Sequence, residues 1–277
     1  MKKNLNVLFI GDIFGQPAVQ ALATCLPKLI KLHRVDFVIA QSENVSDRKG
    51  LVKADYERLK QIGVQAFTLG NHVWAKEGIK QIIANLDVIR PFNVSPDYPG
   101  EGTRVFKVAT QTLRVTSMLG VTFNELTDNW KQSQADNFFD AFDLIEKNYP
   151  RTDYHLIDFH GETTSEKNVF GLYVDGKASA LVGTHTHVQT NDARILPRGL
   201  AYITDAGMTG PSNSAIGAEF KSVYRKMRFD ARNCYTCSSY LSLPKGMHKP
   251  HQPRHNAWGA IRRVFGRGVQ ATLNGVE

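Results

Sequence analysis

Cysteine is scarce in this sequence. Three residues, Cys25, Cys234 and Cys237, in a chain of 277 cannot form the disulfide framework of a secreted domain, and they point to a reducing cytosol. Long apolar runs are missing as well. The N-terminal run LNVLFI follows a positive head but stops after about six residues at Gly11-Asp12, too early for the core of a signal peptide. No other stretch approaches the roughly 20 apolar residues of a membrane-spanning helix. A soluble cytoplasmic protein without membrane attachment is therefore expected. Internal repeats and low-complexity tracts are absent, which excludes solenoid and fibrous classes. Acidic residues are rare at one end: residues 221–277 hold 11 Lys or Arg against only Asp230 and Glu277. The rest of the chain holds 23 basic and 24 acidic residues, so the formal net charge of +8 is a C-terminal property. Such a segment could steer anionic substrates or contact RNA phosphates; a solvated basic surface is the plainer alternative.

What is present is ordinary for a globular protein, with 42% hydrophobic and 22% charged residues. A chain of this length buries enough apolar surface to fold without staples, so any metal would serve chemistry rather than hold the fold. Short apolar runs at 5–10, 36–40 and 65–69 read as buried parallel strands. They alternate with helices over 17–33, 53–62 and about 75–84, and a short strand near 88–90 follows. From residue 103 the texture changes: RVFKVAT and TLRVTSMLG alternate at period two around Thr110-Gln111, as in an antiparallel hairpin. A helix over 134–147, strands at 154–159, 178–183 and 200–203, and a helix over 217–228 complete the pattern. Residues 244–256, with Pro244, Pro250 and Pro253, read as an irregular loop. The order indicates α/β layers in one domain spanning 1–277, with 245–277 as a basic, partly irregular C-terminal segment.

Residues able to bind metal follow the strand ends. Asp12 comes after strand 5–10, Glu43 and Asn44 after strand 36–40, and Asn71 and His72 after strand 65–69. His160 closes I-D-F-H, and His185 and His187 close V-G-T-H-T-H. Loops at the carboxyl ends of strands in an open α/β sheet converge on one crevice. Two carboxylates, two amides and four imidazoles gathered there make a two-metal site. Mixed oxygen and nitrogen donors suit Fe, Mn or Zn better than Ca or Mg. His185 and His187, two apart, would face one side in extended backbone. Singly, each has a plainer reading: Asp12 as a helix cap, Asn71 as a turn residue beside Gly70, a buried His as part of the core. Their coincidence with five strand ends favours the site.

I-G-D, S-E-N, L-G-N-H, D-F-H and G-T-H-T-H-V-Q-T, in this order, resemble the calcineurin-like metallophosphoesterases, and more narrowly the bacterial YmdB-like phosphodiesterases. The surrounding GDIFGQP, LGNHVW, TSEK, HTHVQTNDARILP and YITDAGMTGP extend the resemblance over roughly residues 5–220. It implies an α/β/β/α sandwich of two mixed sheets flanked by helices. It further implies that Asp12, Asn44 and His187 hold one metal, that Asn71, His160 and His185 hold the other, and that Glu43 bridges them. His72 would be the general acid. The wider superfamily's D-x-H is here Asp12-Ile13-Phe14, and a Glu-Asn pair replaces its bridging Asp; both changes agree with the narrower pattern. The reaction implied is in-line attack on phosphorus by a hydroxide bridging the metals, with His72 protonating the departing oxygen. Two iron ions (with Mn or Zn as alternatives), a 2′,3′- or 3′,5′-cyclic nucleotide substrate and a homo-oligomer are implied in the same way. Competing readings are a phosphatase or nuclease using the same centre, and a non-catalytic RNA-binding regulatory protein.

Other signals carry less. Cys234-x-x-Cys237 has no second pair to complete a zinc site, and His248, His251 and His255 read as a solvated loop. G-D-I-F-G lacks the full G-x-G-x-x-G; Gly11 and Gly15 are expected to let backbone approach the metals. Asp158 and Asp205 could orient ligand histidines or cap turns. Arg194 could contact a substrate phosphate or form a surface ion pair.

Overall fold

The computed structural model describes residues 5–229. Its first unit is a four-stranded sheet of β1 (Val7–Ile10), β2 (Phe37–Gln41), β3 (Ala66–Thr68) and β4 (Val88–Ile89), in that order. All three pairings are parallel, so this sheet is not mixed as expected. Each connection leaves and returns on the same side, through helix α1 (Gly15–His33), helix α2 (Lys53–Ile62) or a 3₁₀ turn at Glu77–Gln81. That turn replaces the helix expected over 75–84. Its bonds run from Ile79 N to Lys76 O and from Ile82 N to Ile79 O, and Gly78, its second residue, is a poor helix former.

The second sheet has six strands: β5 (Thr103–Val108), β6 (Gln111–Leu119), β7 (Tyr154–His160), β8 (Ala180–Thr184), β9 (Arg194–Ile195) and β10 (Ala201–Ile203). Their spatial order is β5-β6-β7-β8-β10-β9. β5 and β6 form the expected hairpin, β6, β7, β8 and β10 run parallel, and β9 adds an antiparallel edge. Helices α3 (Phe138–Asn148) and α4 (Thr164–Val174) cover the outer face, and α5 (Phe220–Phe229) follows β10.

Side-chain alternation along the strands builds the layers. Val7, Phe9, Phe37 and Ile39 point into a core shared with Leu113, Val115, Leu156 and Ala180 of the second sheet. Their neighbours Leu8, Ile10, Val38 and Ala40 face Val19, Leu22 and Leu26 of α1 and Leu59 of α2. On the far side Ile157, Phe159 and Leu181 pack against Phe142 of α3 and Phe170 of α4. The result is the expected α/β/β/α sandwich. Both sheets present their carboxyl ends to one edge, where Ser117 Oγ donates to Leu69 O at 2.6 Å across the layers.

Helix α4 and strand β9 were not anticipated. The buried face of α4 is Lys167, Phe170, Gly171 and Val174, and a lysine and a glycine there conceal the apolar period. A capping box does mark its start: Thr163 Oγ1 accepts from Glu166 N at 3.4 Å and donates to Glu166 Oε2 at 2.8 Å. No helix among the described residues is long and apolar enough to cross a membrane. Cys234, Cys237, His248, His251, His255, the loop 244–256 and the basic segment 245–277 lie outside the described residues.

Candidate metal centre

The strand ends deliver their side chains to one place. Asp12 and Glu43 are 0% and 1% exposed, His160 is 0% exposed, and Asn44 and Asn71 are buried beside them. His72, His185 and His187 are half-buried at the mouth. Glu43, His160 and His185 each offer one ligand atom within 4.8 Å of the others.

One half of the cluster gathers four electron-rich atoms. His160 Nε2 lies 2.8 Å from Glu43 Oε1, 3.0 Å from Asn71 Oδ1 and 3.0 Å from His185 Nδ1. His185 Nδ1 is also 3.1 Å from Asn71 Oδ1. One hydrogen on Nε2 could serve only one of these acceptors, whereas a cation among them would serve all. Glu43 Oε1, although near His160, is off the direction of a hydrogen bond and has no donor. In the other half His187 Nε2 stands 3.4 Å from Asn44 Oδ1 and 3.8 Å from Asp12 Oδ1. Asp12 Oδ1 is likewise a buried acceptor without a donor. Anionic oxygens buried without donors are costly. The donor sets therefore fit bound cations, with Glu43 Oε1 facing the first half and Asp12 Oδ1 the second.

The backbone corrects one expectation. His185 and His187 are not in extended backbone; their φ values are +97° and +63°. The left-handed turn points His185 Nδ1 toward Asn71 and His160, and His187 Nε2 toward Asn44 and Asp12. Gly11 also acts differently from expected. A Cβ there would overlap the Gly207 carbonyl, so Gly11 lets the β1 and β10 ends meet rather than letting backbone approach a metal. Gly15, at φ +70°, opens α1, and its N donates to Asn44 O at 3.0 Å, so its backbone does reach the loop that carries Asn44.

Electrostatics follow from burial. Burial would push the His160 imidazolium down, but the Glu43 carboxylate, with Asp12 and Asp158, raises it to about 9. Burial would raise Glu43, yet His160 and the His72 amide hold it below the usual carboxylate range. Asp12 is raised by burial despite His160 and His187. His185 is lowered to about 3 by burial and then by the His160 charge. Asp158 is raised to about 7 by burial, against the pull of His160, Thr184 and Thr68.

Around the cluster stand groups that hold it. Glu43 Oε2 accepts from His72 N at 2.9 Å. Asn44 Nδ2 donates to Arg48 O at 3.0 Å, which turns Oδ1 toward His187. Thr184 Oγ1 donates to Asp158 Oδ1 at 2.6 Å and lies 2.9 Å from His160 Nδ1, so Asp158 reaches His160 through Thr184. Asp205 accepts from Lys167 and Thr186. Arg194 instead pairs with Asp192 at 3.3 Å and Asn168 at 2.9 Å over the Tyr202 ring, which is the surface ion-pair reading.

Three positions escaped sequence reasoning. Asp128, on the loop after β6, binds His72 Nδ1, leaving Nε2 as the nitrogen free of the dyad. The same loop fastens itself by Trp130 Nε1 to Asn71 O at 2.7 Å and Asn129 Nδ2 to Trp74 O at 3.0 Å. Glu162 Oε2 lies 3.0 Å from His185 Nε2, fixing the ring whose Nδ1 faces the cluster. Lys167 is fully buried behind it. Lys167 lies inside a helix and Asp128 nine residues past β6, whereas Glu162 stands two residues past β7, as Glu43 does past β2, and the short spacing His160-x-Glu162 was its signal.

Comparison with known proteins places the chain in a family. The family model described as YmdB-like protein matches residues 8–243. The 2′,3′-cyclic-nucleotide 2′-phosphodiesterase of Bacillus subtilis (strain 168) is 41% identical over 225 residues, covering 81% of this chain and 83% of the relative. A crystal structure of a novel phosphatase from Mycoplasma pneumoniae superposes with a TM-score of 0.76 at 36% identity, covering 84% of this chain and 83% of that one. A hypothetical protein from Thermus thermophilus gives 0.75 at 37% identity, covering 81% of this chain and 85% of that one. With the match to the family model spanning most of the chain and the fold shared with these relatives, this protein belongs to the YmdB-like family.

Proposed function

We propose that the chain is a metal-dependent phosphoric diester hydrolase with two transition-metal ions, acting on cyclic nucleotides. One observation carries the reading: buried acceptors from both sheets, two of them acid oxygens without donors, converge at one edge. Asp12, Asn44 and His187 would hold one ion, Asn71, His160 and His185 the other, and Glu43 would bridge. Fe is the first choice, with Mn or Zn as alternatives. When bound, the ions would neutralise phosphate charge and lower the pKa of a bound water.

The chain's own residues do the rest. Glu43, held below the usual carboxylate range by His160 and the His72 amide, keeps negative charge in the crevice. His72 presents Nε2 while Asp128 grips Nδ1, which suits donation of a proton to a leaving oxygen. The name of the Bacillus relative favours a 2′,3′-cyclic nucleotide. Water then adds to phosphorus and gives up a proton to solvent, the P–O2′ bond breaks, and O2′ leaves with the proton from His72, which solvent reprotonates, giving a nucleoside 3′-phosphate.

Elemental analysis paired with hydrolysis of bis-p-nitrophenyl phosphate and 2′,3′-cyclic AMP tests the proposal. About two metals per chain and chelator-sensitive turnover are expected. No metal, and no turnover after Fe, Mn or Zn is returned, would refute it. The phosphatase name of the Mycoplasma structure supports a second reading, a monoesterase; faster turnover of p-nitrophenyl phosphate than of either diester would favour it. A cytoplasmic homo-oligomer built from one domain over 1–277 is part of the proposal. So is RNA contact through 221–277, of which Lys221, Arg225 and Arg228 of α5 are exposed; binding that weakens steeply with salt would mark it.

A further inference from the structure

We propose that the buried pair Lys167–Asp205 is a positioning device that clamps the His185-Thr186-His187 turn in its left-handed form and thereby sets the metal affinity of the centre. The inference rests on the metal reading above and assigns roles to residues outside the ligand set.

Lys167 is 0% exposed, on the inner face of α4. Its Nζ donates to Asp205 Oδ2 at 2.7 Å and to Thr184 O at 2.9 Å, the carbonyl just before His185. Asp205 Oδ2 also accepts from Thr186 Oγ1 at 2.8 Å and Thr186 N at 3.3 Å. The flanks of His185 are thus held from one point. Asp205 Oδ1 accepts from Gly207 N at 2.7 Å, and Thr209 N bonds Asp12 O at 2.9 Å, which ties the β10 end to the loop carrying Asp12. The lysine stem reaches inward past Gly183, where a Cβ would lie 3.0 Å from its Cδ.

Two facts make this more than a structural ion pair. Dry ion pairs seldom stabilise a fold better than apolar residues of the same size, so stability alone does not account for Lys167 and Asp205 in this core. Non-glycine residues at φ +97° and +63° are strained, and strained backbone persists only where its surroundings over-determine it. Around His185 that over-determination comes from Lys167, Asp205 and the bond from His185 N to Asp12 Oδ2 at 3.1 Å. Without the clamp the turn relaxes, and the two imidazoles no longer aim at separate halves of the cluster.

The test is titration of metal-free full-length protein with Co²⁺, read by its visible absorption, beside thermal melting without metal. The wild type should bind two Co²⁺ per chain. Lys167→Met/Asp205→Asn should melt cooperatively but bind roughly 10- to 100-fold more weakly, the usual loss when a ligand's support is removed. Phe170→Leu on the same helix, a core change away from the turn, should leave Co²⁺ affinity unchanged. Wild-type affinity and spectrum in a folded double variant, or an equal loss in Phe170→Leu, would overturn the clamp. Should the double variant not fold, Thr186→Val, which removes the hydroxyl that donates to Asp205 and accepts from Val188 N, carries the test. A several-fold loss would support the clamp, and an unchanged affinity would overturn it. A wild type that binds no Co²⁺ would refute the metal reading itself, and the clamp with it.

Discussion

Asp128 binds His72 through Nδ1 from a loop of the second sheet, although His72 belongs to the first. Lys49 Nζ stands 3.5 Å from the other oxygen of that carboxylate. An acid held this way delivers its proton only where the leaving group needs one. His72→Ala should therefore lower kcat for 2′,3′-cyclic AMP by about 10²–10⁴-fold. For bis-p-nitrophenyl phosphate, whose leaving group departs unprotonated, the loss should be far smaller. Asp128→Asn should follow the same pattern with a milder loss and little change in KM. Equal losses on both substrates in steady-state assays would remove His72 from the acid role.

Asp12→Asn separates metal binding from folding. Burial raises Asp12 and leaves its Oδ1 without a donor, so the metal-free variant should be at least as stable as the wild type. Metal at 100 times its Kd should stabilise the wild type by about 2.7 kcal/mol, and the variant by much less. Melting curves with and without Mn²⁺ decide; a wild-type shift in the variant would contradict the assignment.

Gly70 has no room for a side chain. An added Cβ would fall 2.6 Å from both Glu43 Oε2 and His160 Cγ. Gly70→Ala should cost about 1–3 kcal/mol of stability through overpacking and should displace Glu43. Urea unfolding and elemental analysis should then show a folded chain with reduced metal content; full metal content would show that the loop yields without harm.

His155, on the outer face of the second sheet beneath α3, where it stacks on Phe142, predicts a pH dependence away from the centre. Burial, and then the Arg114 charge, lower it from 6.5 to about 3, and Nε2 lies 2.9 Å from Thr116 Oγ1. Between these values the unfolded chain binds the extra proton, so stability falls as pH drops from 6.5 toward 3 and is fully present above 6.5. By pH 5 the loss should reach about 2 kcal/mol. Urea unfolding of the chelated protein across pH 4–7 should show a shallower slope for His155→Gln; parallel slopes would exclude His155 as the source.

Much of this was legible because parallel strands buried on both faces read as short apolar runs, and their ends announce themselves. Asp12, Glu43, Asn71 and His160 were readable for that reason. The assignment of individual metals came only with the resemblance. What stayed hidden depends on tertiary contact. Lys167 occupies a position where helical periodicity asks for an apolar residue, and it concealed α4. Asp128 lies 56 residues from its partner on a loop with no period. The left-handed turn at His185 is enforced by Asp12 and Asp205, neither of them local to it.

The division of the proposed ligands between two sheets also bears on biosynthesis. Asp12, Glu43, Asn44 and Asn71 emerge with the first sheet, but His187 follows Asn71 by 116 residues. At typical rates of chain elongation that gap lasts on the order of ten seconds. During that interval the nascent chain carries half a centre with no complement, and cations meeting it find weak sites. Loading of the proposed centre must wait for the second sheet to dock, so synthesis of that sheet, rather than arrival of the first ligands, sets the moment at which the site can fill.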